Sequence, residues 1–330
     1  MSIDSNRIKN YLDDQFPYKH ILEVFDLKQL SSGWAGDVYS FSVALDTQTE
    51  TANESYIIKT YSESDSGVKS IIKEYKALDF LYSSGYPVPK PIIHNTDTVF
   101  FGKPFIIMEQ IKGMLLFESY TNSPLDKKAS VLRTFAHLLF HLHSIDAKGI
   151  EPGFSSRGQA LLDTEIGEIK ALIDLYQIDS LRRIYEWIIN NKKTVSGIKP
   201  SILHRDYHPW NVIEDTAGHH FVIDWIWSIG DFRFDLAWTV TLMERAGFES
   251  FAKGFLEEYE LMCGSRIDNL EYFKVMAALR WLLNVTVSVK TGDNLRGGDS
   301  KAFKEFLEPL VNKALTMFQA ITGILIEYSL

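Results

Sequence analysis

Between Leu203 and Ile213 the chain reads LHRDYHPWNVI, with two histidines, an Arg–Asp pair, a proline and an asparagine inside eleven residues. Buried strands are not built from such residues. Asp206 and Asn211 stand five apart across a turn made by Pro209, and Asp224 follows on the next strand after a loop at Glu214–Gly218. A hairpin of that length could bring Asn211 and Asp224 side by side at one end. One carboxylate and one amide oxygen there suit a hard octahedral cation such as Mg2+, which takes few protein ligands and completes its shell with phosphate and water. Asp206, on the preceding loop, would then lie near the same point.

A second set of polar residues lies upstream. Lys59 sits near the end of an apolar strand, flanked by Ile57, Ile58 and Tyr61, and needs a partner if it faces inward. Glu74 is the natural one, because it shares a helix edge with Ile71 and Leu78. Gly33 and Gly36 of SSGWAGDVYSF precede a strand, where backbone N–H groups can approach phosphates closely. Taken singly, these features have plainer readings. Lys59–Glu74 could be a structural ion pair, and the two glycines could belong to a plain hairpin turn.

The elements that must position these residues fall into two textures. DVYSFSVAL (37–45) and SYIIKTYS (55–62) read as a long-loop hairpin, and GVKSIIKEYKALDFLYSSG (67–85) as a helix ended by Gly85. YPVPKP then forces an extended connector, and TVFFGKPFIIMEQI reads as a second hairpin turning at Gly102–Lys103. The texture changes at Lys112–Gly113. Beyond it, helices dominate, interrupted by a strand-rich island over 201–225. The expected fold class is α+β, with a β-rich N-terminal lobe at 1–111 and a mainly helical C-terminal lobe at 112–330.

The totals agree with an ordinary globular chain. At 330 residues, with 45% hydrophobic and 23% charged, two packed lobes are the default. The one cysteine, Cys263, leaves no internal disulfide or CxxC metal knuckle, and suits a reducing cytoplasm. A net charge of -9 disfavours a nucleic-acid backbone as partner and mildly favours a cationic small molecule. The polar start MSIDSNRIKN is no secretory leader, and the apolar runs are too short to span a bilayer. The expectation is a cytoplasmic protein, monomer or homodimer, with no nucleic-acid or membrane partner. His208, His219 and His220 lack the tight spacing of a zinc site, and neither a GxSxG elbow nor a GxxxxGK[ST] loop is present.

Together, the glycine-containing loop, the strand lysine, the helix glutamate, HRDYHPWN and VIDW resemble the protein-kinase-like superfamily. More narrowly, LHSID (142–146), HRDYHPWN, VIDW (222–225) and GDFRFDLAW (230–238) resemble the aminoglycoside phosphotransferase and choline kinase-like small-molecule kinases. The resemblance implies a two-lobe protein-kinase-like fold using ATP, with GTP left open, and Mg2+. It implies Asp206 as the catalytic aspartate, Asn211 and Asp224 as metal ligands, and Lys59 on the α- and β-phosphates, placed by Glu74. It also implies that the Glu109 carbonyl and Ile111 N–H meet the adenine edge, that Val38, Ile57 and Ile223 sandwich the ring, and that His204 and Asp235 brace the catalytic loop.

The chain also departs from the families it resembles. Arg205 stands where the small-molecule family usually has glycine, yet GDFRFDLA follows Asp224 too soon for a protein-kinase activation segment. A small, detached acceptor is therefore expected, aminoglycoside-like or otherwise amine-bearing. Trp238, Glu244, Glu257, Glu258 and Tyr259 are the candidate contacts, since a cationic amine favours carboxylates and aromatic faces. A choline, sugar-amine or macrolide kinase, a catalytically degenerate nucleotide-binding regulator and, last, a protein kinase are the alternatives. Five retained polar residues (Lys59, Glu74, Asp206, Asn211, Asp224) argue against the degenerate form.

Overall fold

Five antiparallel strands in the order β1-β2-β3-β5-β4 form the first sheet of the computed structural model: β1 (His20–Gly33), β2 (Gly36–Asp46), β3 (Thr51–Thr60), β4 (Pro91–Asn95) and β5 (Phe105–Glu109). The structure describes residues 3–33, 36–47, 50–151, 158–291 and 300–330. Alternation along β2, β3 and β5 sends Phe41, Val43, Tyr56, Ile58, Phe105 and Ile107 into a core closed by Ile8, Tyr11 and Leu12 of helix α1 (Ser5–Gln15). The register pairs Val38 with Lys59, Ser40 with Ile57, and Ile57 with Met108. Val38, Ile57 and Lys59 therefore share the opposite face of the sheet.

Helix α2 (Asp65–Ser83) follows β3, its first turn capped by the Ser64 side chain accepting from the Gly67 N–H. The buried stripe runs through Ile71, Glu74, Ala77, Leu78 and Leu81, and Tyr82 is exposed. Glu74 lies within the stripe, not at its border.

The expected second hairpin is corrected in one strand. β5 forms where expected, but its partner is β4, and the segment from Asp97 to Lys103 is a turn. Phe100 and Phe101 bury their rings against Tyr11, at centroid distances of 4.7 and 5.8 Å, from within that turn. Pro91 opens β4, which the sheet order puts at the edge, where a missing N–H is tolerated.

The chain divides into two units by its contacts: Met1–Gly113 with Ile213–Trp225, and Met114–Val212 with Ile226–Leu330. Strand β6 (Gly113–Leu115) begins at the first junction, and β8 (Val212–Asp215) at the second. The returning segment, with β8 and β9 (His220–Val222), joins the first unit through a Val222 N–H bond to the Pro87 carbonyl and edge packing of Trp225 on Tyr86.

The second unit is mainly helical: α3 (Leu116–Asn122), α4 (Leu125–Ser144), α5 (Gly158–Leu175), α6 (Arg182–Asn191), α7 (Arg233–Arg245), α8 (Glu249–Cys263), α9 (Leu270–Thr291) and α10 (Ser300–Thr322). Its strands β7 (Pro200–Leu203) and β10 (Ser228–Asp231) form one antiparallel pair. The core gathers Ile166, Ile169, Ile184, Phe234, Met276 and Leu279 from the four helices α5, α6, α7 and α9. The β-rich and helical units are the α+β architecture expected. Among the described residues no helix is long and apolar enough to cross a membrane.

Candidate active site

In the first unit, Lys59 is buried at 8% exposure and its ammonium lies 3.0 Å from each oxygen of Glu74. The same ammonium donates to Asp224 Oδ1 at 2.6 Å. Tyr61 also donates its hydroxyl to Glu74. Burial pushes the Glu74 carboxyl up, and the Lys59 charge holds it back. Lys59 is held well above its ordinary value, because Glu74, Tyr61 and Asp224 together outweigh the cost of burial. A single cation thus joins strand β3, helix α2 and the segment after β9. The Asp224 side chain remains half exposed, and its backbone is left-handed, at φ 63°. Such geometry in a non-glycine residue is sparsely populated and recurs where a side chain must be aimed.

Gly33 and Gly36 pair across the end of the β1–β2 hairpin, and the two residues between them lie outside the described ones. A Cβ on Gly36 would stand 1.6 Å from the Thr60 carbonyl oxygen, so β2 meets β3 there at a distance only glycine allows. Val38, Ile57 and Ile223 are half-buried. At the end of β5, the Glu109 N–H is bonded to the Lys90 carbonyl and the Gln110 N–H to the Ser55 carbonyl. Ile111 follows, half-buried, as the strand ends.

In the second unit the catalytic-loop motif is fixed from beneath. Asp235 is fully buried and accepts the backbone N–H of His204 at 2.7 Å and of Arg205 at 3.0 Å. His143 Nε2 lies 3.3 Å from the same carboxylate, and its Nδ1 is 2.8 Å from the Tyr259 hydroxyl. An imidazole with its proton on Nε2 donates to Asp235 and accepts from Tyr259, which satisfies all three groups. The ring of Tyr207 stacks on Phe135 of α4, its hydroxyl donates to the Phe135 carbonyl, and Thr239 of α7 donates to the Tyr207 carbonyl. Two helices therefore hold the loop's position.

On that loop the Asp206 N–H donates to His204 Nδ1 at 3.2 Å, and the Asn211 amide donates to the Asp206 carbonyl at 3.0 Å. Trp238 donates its indole N–H to Asp206 Oδ1 at 2.9 Å, and His208 Nε2 lies 3.5 Å from the same oxygen. Burial raises the Asp206 carboxyl, but His208, His204 and Trp238 more than offset it, so the group titrates below the ordinary aspartate range. It is a carboxylate at neutral pH.

Arg205 has φ 77° and reaches away from Asp206 to Glu165 of α5, at 2.5 and 3.2 Å, over the ring of Phe234. Arg280 of α9 also contacts Glu165, at 3.3 Å.

Of the expected acceptor contacts, Trp238 alone touches Asp206. Tyr259 is buried and occupied with His143. Glu244 pairs with Lys274 at 3.2 Å, Glu258 with Arg133 at 3.1 Å, and Glu257 faces solvent near Lys253. His143 and Glu165 were not singled out from the sequence. The LHSID motif pointed to His143, and nothing near Glu165 marked it as the partner of Arg205. Among the described residues no group of three or more His, Cys, Asp or Glu could hold a metal ion.

A β-rich unit with a buried lysine–glutamate pair joined to a half-exposed aspartate, and a helical unit with a clamped H-x-D-x-x-x-x-N loop, define a phosphotransferase of the kinase-like class. The chain belongs to the phosphotransferase enzyme family, whose model matches residues 26–276. Two solved structures share the fold at low identity. The gentamicin complex of aminoglycoside phosphotransferase APH(2")-IIa has a TM-score of 0.61 and 20% identity, over 97% of each chain. The ternary complex of a thermostable APH(4)-Ia mutant with AMP-PNP and hygromycin B has a TM-score of 0.62 and 16% identity, over 97% of this chain and 100% of that one. The chain is also similar to acyl-CoA dehydrogenase family member 11: 29% identical to the Homo sapiens protein over 51% of this chain and 22% of that protein. To the Pongo abelii protein it is 25% identical, over 75% of this chain and 35% of that protein. The chain spans about a third or less of these curated relatives.

Proposed function

We propose that the protein is an ATP-dependent kinase that phosphorylates a hydroxyl of a small molecule. The observation that carries this reading is Asp206, kept ionised on a loop whose backbone is bound to a fully buried aspartate. The acceptor oxygen attacks the γ-phosphorus, and an O–P bond forms as the bond to the β–γ bridging oxygen breaks. ADP leaves with that electron pair, and the acceptor proton passes to Asp206. The transition state is loose, so orientation of the hydroxyl matters more than early deprotonation, which a carboxylate of low basicity could not perform.

The remaining roles follow the same reading. Lys59, placed by Glu74, meets the α- and β-phosphates, with Gly33 and Gly36 in the phosphate loop. Val38, Ile57 and Ile223 hold the base, and the Glu109 carbonyl and Ile111 N–H read its edge. His204 and Asp235 support the loop without touching substrate. Asn211 and Asp224 suit Mg2+ by their chemistry. The Asn211 Nδ2 is spent on the Asp206 carbonyl, which directs its oxygen elsewhere, and Asp224 supplies a half-exposed carboxylate. When bound, the ion would neutralise charge on the phosphates.

Two acceptor classes are favoured by separate observations. The fold neighbours solved with gentamicin and hygromycin B support an aminoglycoside-like acceptor. The likeness to proteins named acyl-CoA dehydrogenase family member 11 supports an acyl-CoA acceptor. The test is ATP consumption over aminoglycosides, macrolides, choline analogues, sugars, hydroxyacyl-CoAs and a generic peptide. Turnover with a small hydroxyl compound, abolished in Asp206→Ala with ATP binding retained, is expected. Activity on the peptide alone would overturn the reading.

A further inference from the structure

Arg245, the last residue of α7, is buried at 5% exposure, and its Nη1 atom has no hydrogen-bond partner. Its guanidinium stacks on the half-buried ring of Trp281 of α9, 4.2 Å from the centroid. The adjoining Glu244 carboxylate is engaged by Lys274 at 3.2 Å. Among the described residues no carboxylate pairs with Arg245. Burial drives its guanidinium down to about 9, and the nearby Glu244 charge offsets only part of that. A buried arginine is normally paired, because an uncompensated charge in the interior is costly. Among the described residues the other buried arginine obeys that rule, Arg233 having Asp231 at 2.7 Å, and the half-buried Arg205 has Glu165.

The position of Arg245 bears on the reaction. Residues 238, 242 and 245 share one face of a helix. Trp238, on that face, donates to Asp206, and Leu242 between the two is half-buried. Seven residues of helix separate Trp238 from Arg245, about 10 Å along the axis. Just past the helix, Lys313 Nζ lies 3.8 Å from where a Cβ on Gly247 would stand, adding a second cation. Of the carboxylates expected to meet an amine, Glu244 and Glu258 are paired and Glu257 faces solvent.

We propose that Arg245 binds an anionic group, carboxylate or phosphate, of the acceptor, about 10 Å from the hydroxyl that Asp206 orients. The inference rests on the phosphotransferase reading and narrows it to hydroxylated organic anions.

The experiment compares matched acceptors on the full chain. Hydroxycarboxylates and hydroxyalkyl phosphates of graded length are set against their neutral amides and methyl esters, and against amino alcohols. Transfer is read as kcat/KM, and binding as thermal stabilisation in the absence of nucleotide. The wild type should prefer the charged member of a pair by about 10- to 100-fold, the span of a charge-assisted hydrogen bond. Preference within the carboxylate or the phosphate series identifies which anion is bound. In Arg245→Met that preference should vanish through KM, while transfer to neutral analogues persists, and Arg245→Lys should restore part of it. If Arg245→Met does not fold, the wild-type comparison alone decides. Equal or better use of neutral or amine acceptors overturns the proposal and leaves the kinase reading standing. Should nothing be phosphorylated, the binding arm decides: stabilisation by anions only supports the site, and none overturns it.

Discussion

Trp238 donates its indole N–H to Asp206 Oδ1 at 2.9 Å, so the helix that follows the clamp also sets the direction of the carboxylate. Asp235 and Trp238 lie on α7 less than one turn apart. The first holds the loop backbone and the second holds the side chain of Asp206. A rigid helix thus fixes both the position and the rotamer of the proposed proton acceptor, which is how positioning is achieved before substrate arrives.

Trp238→Phe should keep the packing and lose that bond. Burial then weighs more on Asp206, so its carboxyl rises toward the ordinary aspartate value. A group depressed in the folded protein is ionised above that depressed value and neutral below it. The acid limb of kcat against pH should therefore move to higher pH in the variant, with kcat down about tenfold, as for loss of an orienting contact. An unmoved acid limb would show that Trp238 does not set the charge state of Asp206.

Arg205 and Glu165 form a coupled pair. Arg205→Met leaves Glu165 with Arg280 alone and should cost roughly 3 kcal/mol, the scale for breaking a buried pair. Burial raises the Glu165 carboxyl, but the charges of Arg205 and Arg280 bring it below the ordinary range. That stabilisation is present above the unfolded pKa of about 4.3 and is lost as pH falls through the folded value. Removing Arg205 raises the folded value, so acid unfolding should begin at a higher pH. Adding Glu165→Gln should recover part of the loss. Urea midpoints of the four proteins from pH 3 to 8 test the cycle, and additive losses would exclude coupling.

Much of this was legible in the sequence because it was local. HRDYHPWN announced the loop through residue types that no buried strand carries, and the switch from period two to period 3.6 marked β3 and α2. What failed depended on distant packing. β1 was not anticipated: a register shift between Phe25 and Lys28, with Asp26 at φ 53°, breaks the alternation that signals a strand. TVFF looked like a strand because its residue types are β-branched and aromatic, but Tyr11, far away in sequence, packs those aromatics in a turn. Glu165, 40 residues before Arg205, gave no signal because partnership across helices leaves no local pattern. Tyr259 read as a substrate contact for the same reason, since its helix position does not reveal that His143 occupies its hydroxyl.

Gly36 supplies a steric prediction. Gly36→Ala places a methyl 1.6 Å from the Thr60 carbonyl, so the end of the β1–β2 hairpin must move away from β3. ATP affinity should fall more than tenfold, by about 1.4 kcal/mol or more. Gly85→Ala is the control. That glycine also has positive φ, at 77°, but nothing lies within 4 Å of the added methyl. It should cost about 1 kcal/mol of stability through backbone strain and leave ATP affinity unchanged. Isothermal titration with ATP separates the two, and equal affinity in both variants would remove the hairpin from the phosphate site.

Lys59→Met separates the ion cluster's structural role from its nucleotide role. The variant leaves Glu74 buried without its cation, and its carboxyl, already raised by burial, rises further. A carboxyl raised in the folded state gives stability that is complete below its unfolded pKa and is lost as pH climbs through the folded value. Lys59 itself stays charged across this range. The stability deficit of Lys59→Met should therefore be small near pH 4 and grow toward pH 8, to roughly 3–5 kcal/mol for an uncompensated buried charge. Lys59→Met/Glu74→Gln removes that charge and should recover most of the loss at pH 8. ATP binding should stay absent in both, because neither restores a cation for the phosphates. Recovery of stability together with ATP binding in the double variant would make Lys59 a purely structural residue.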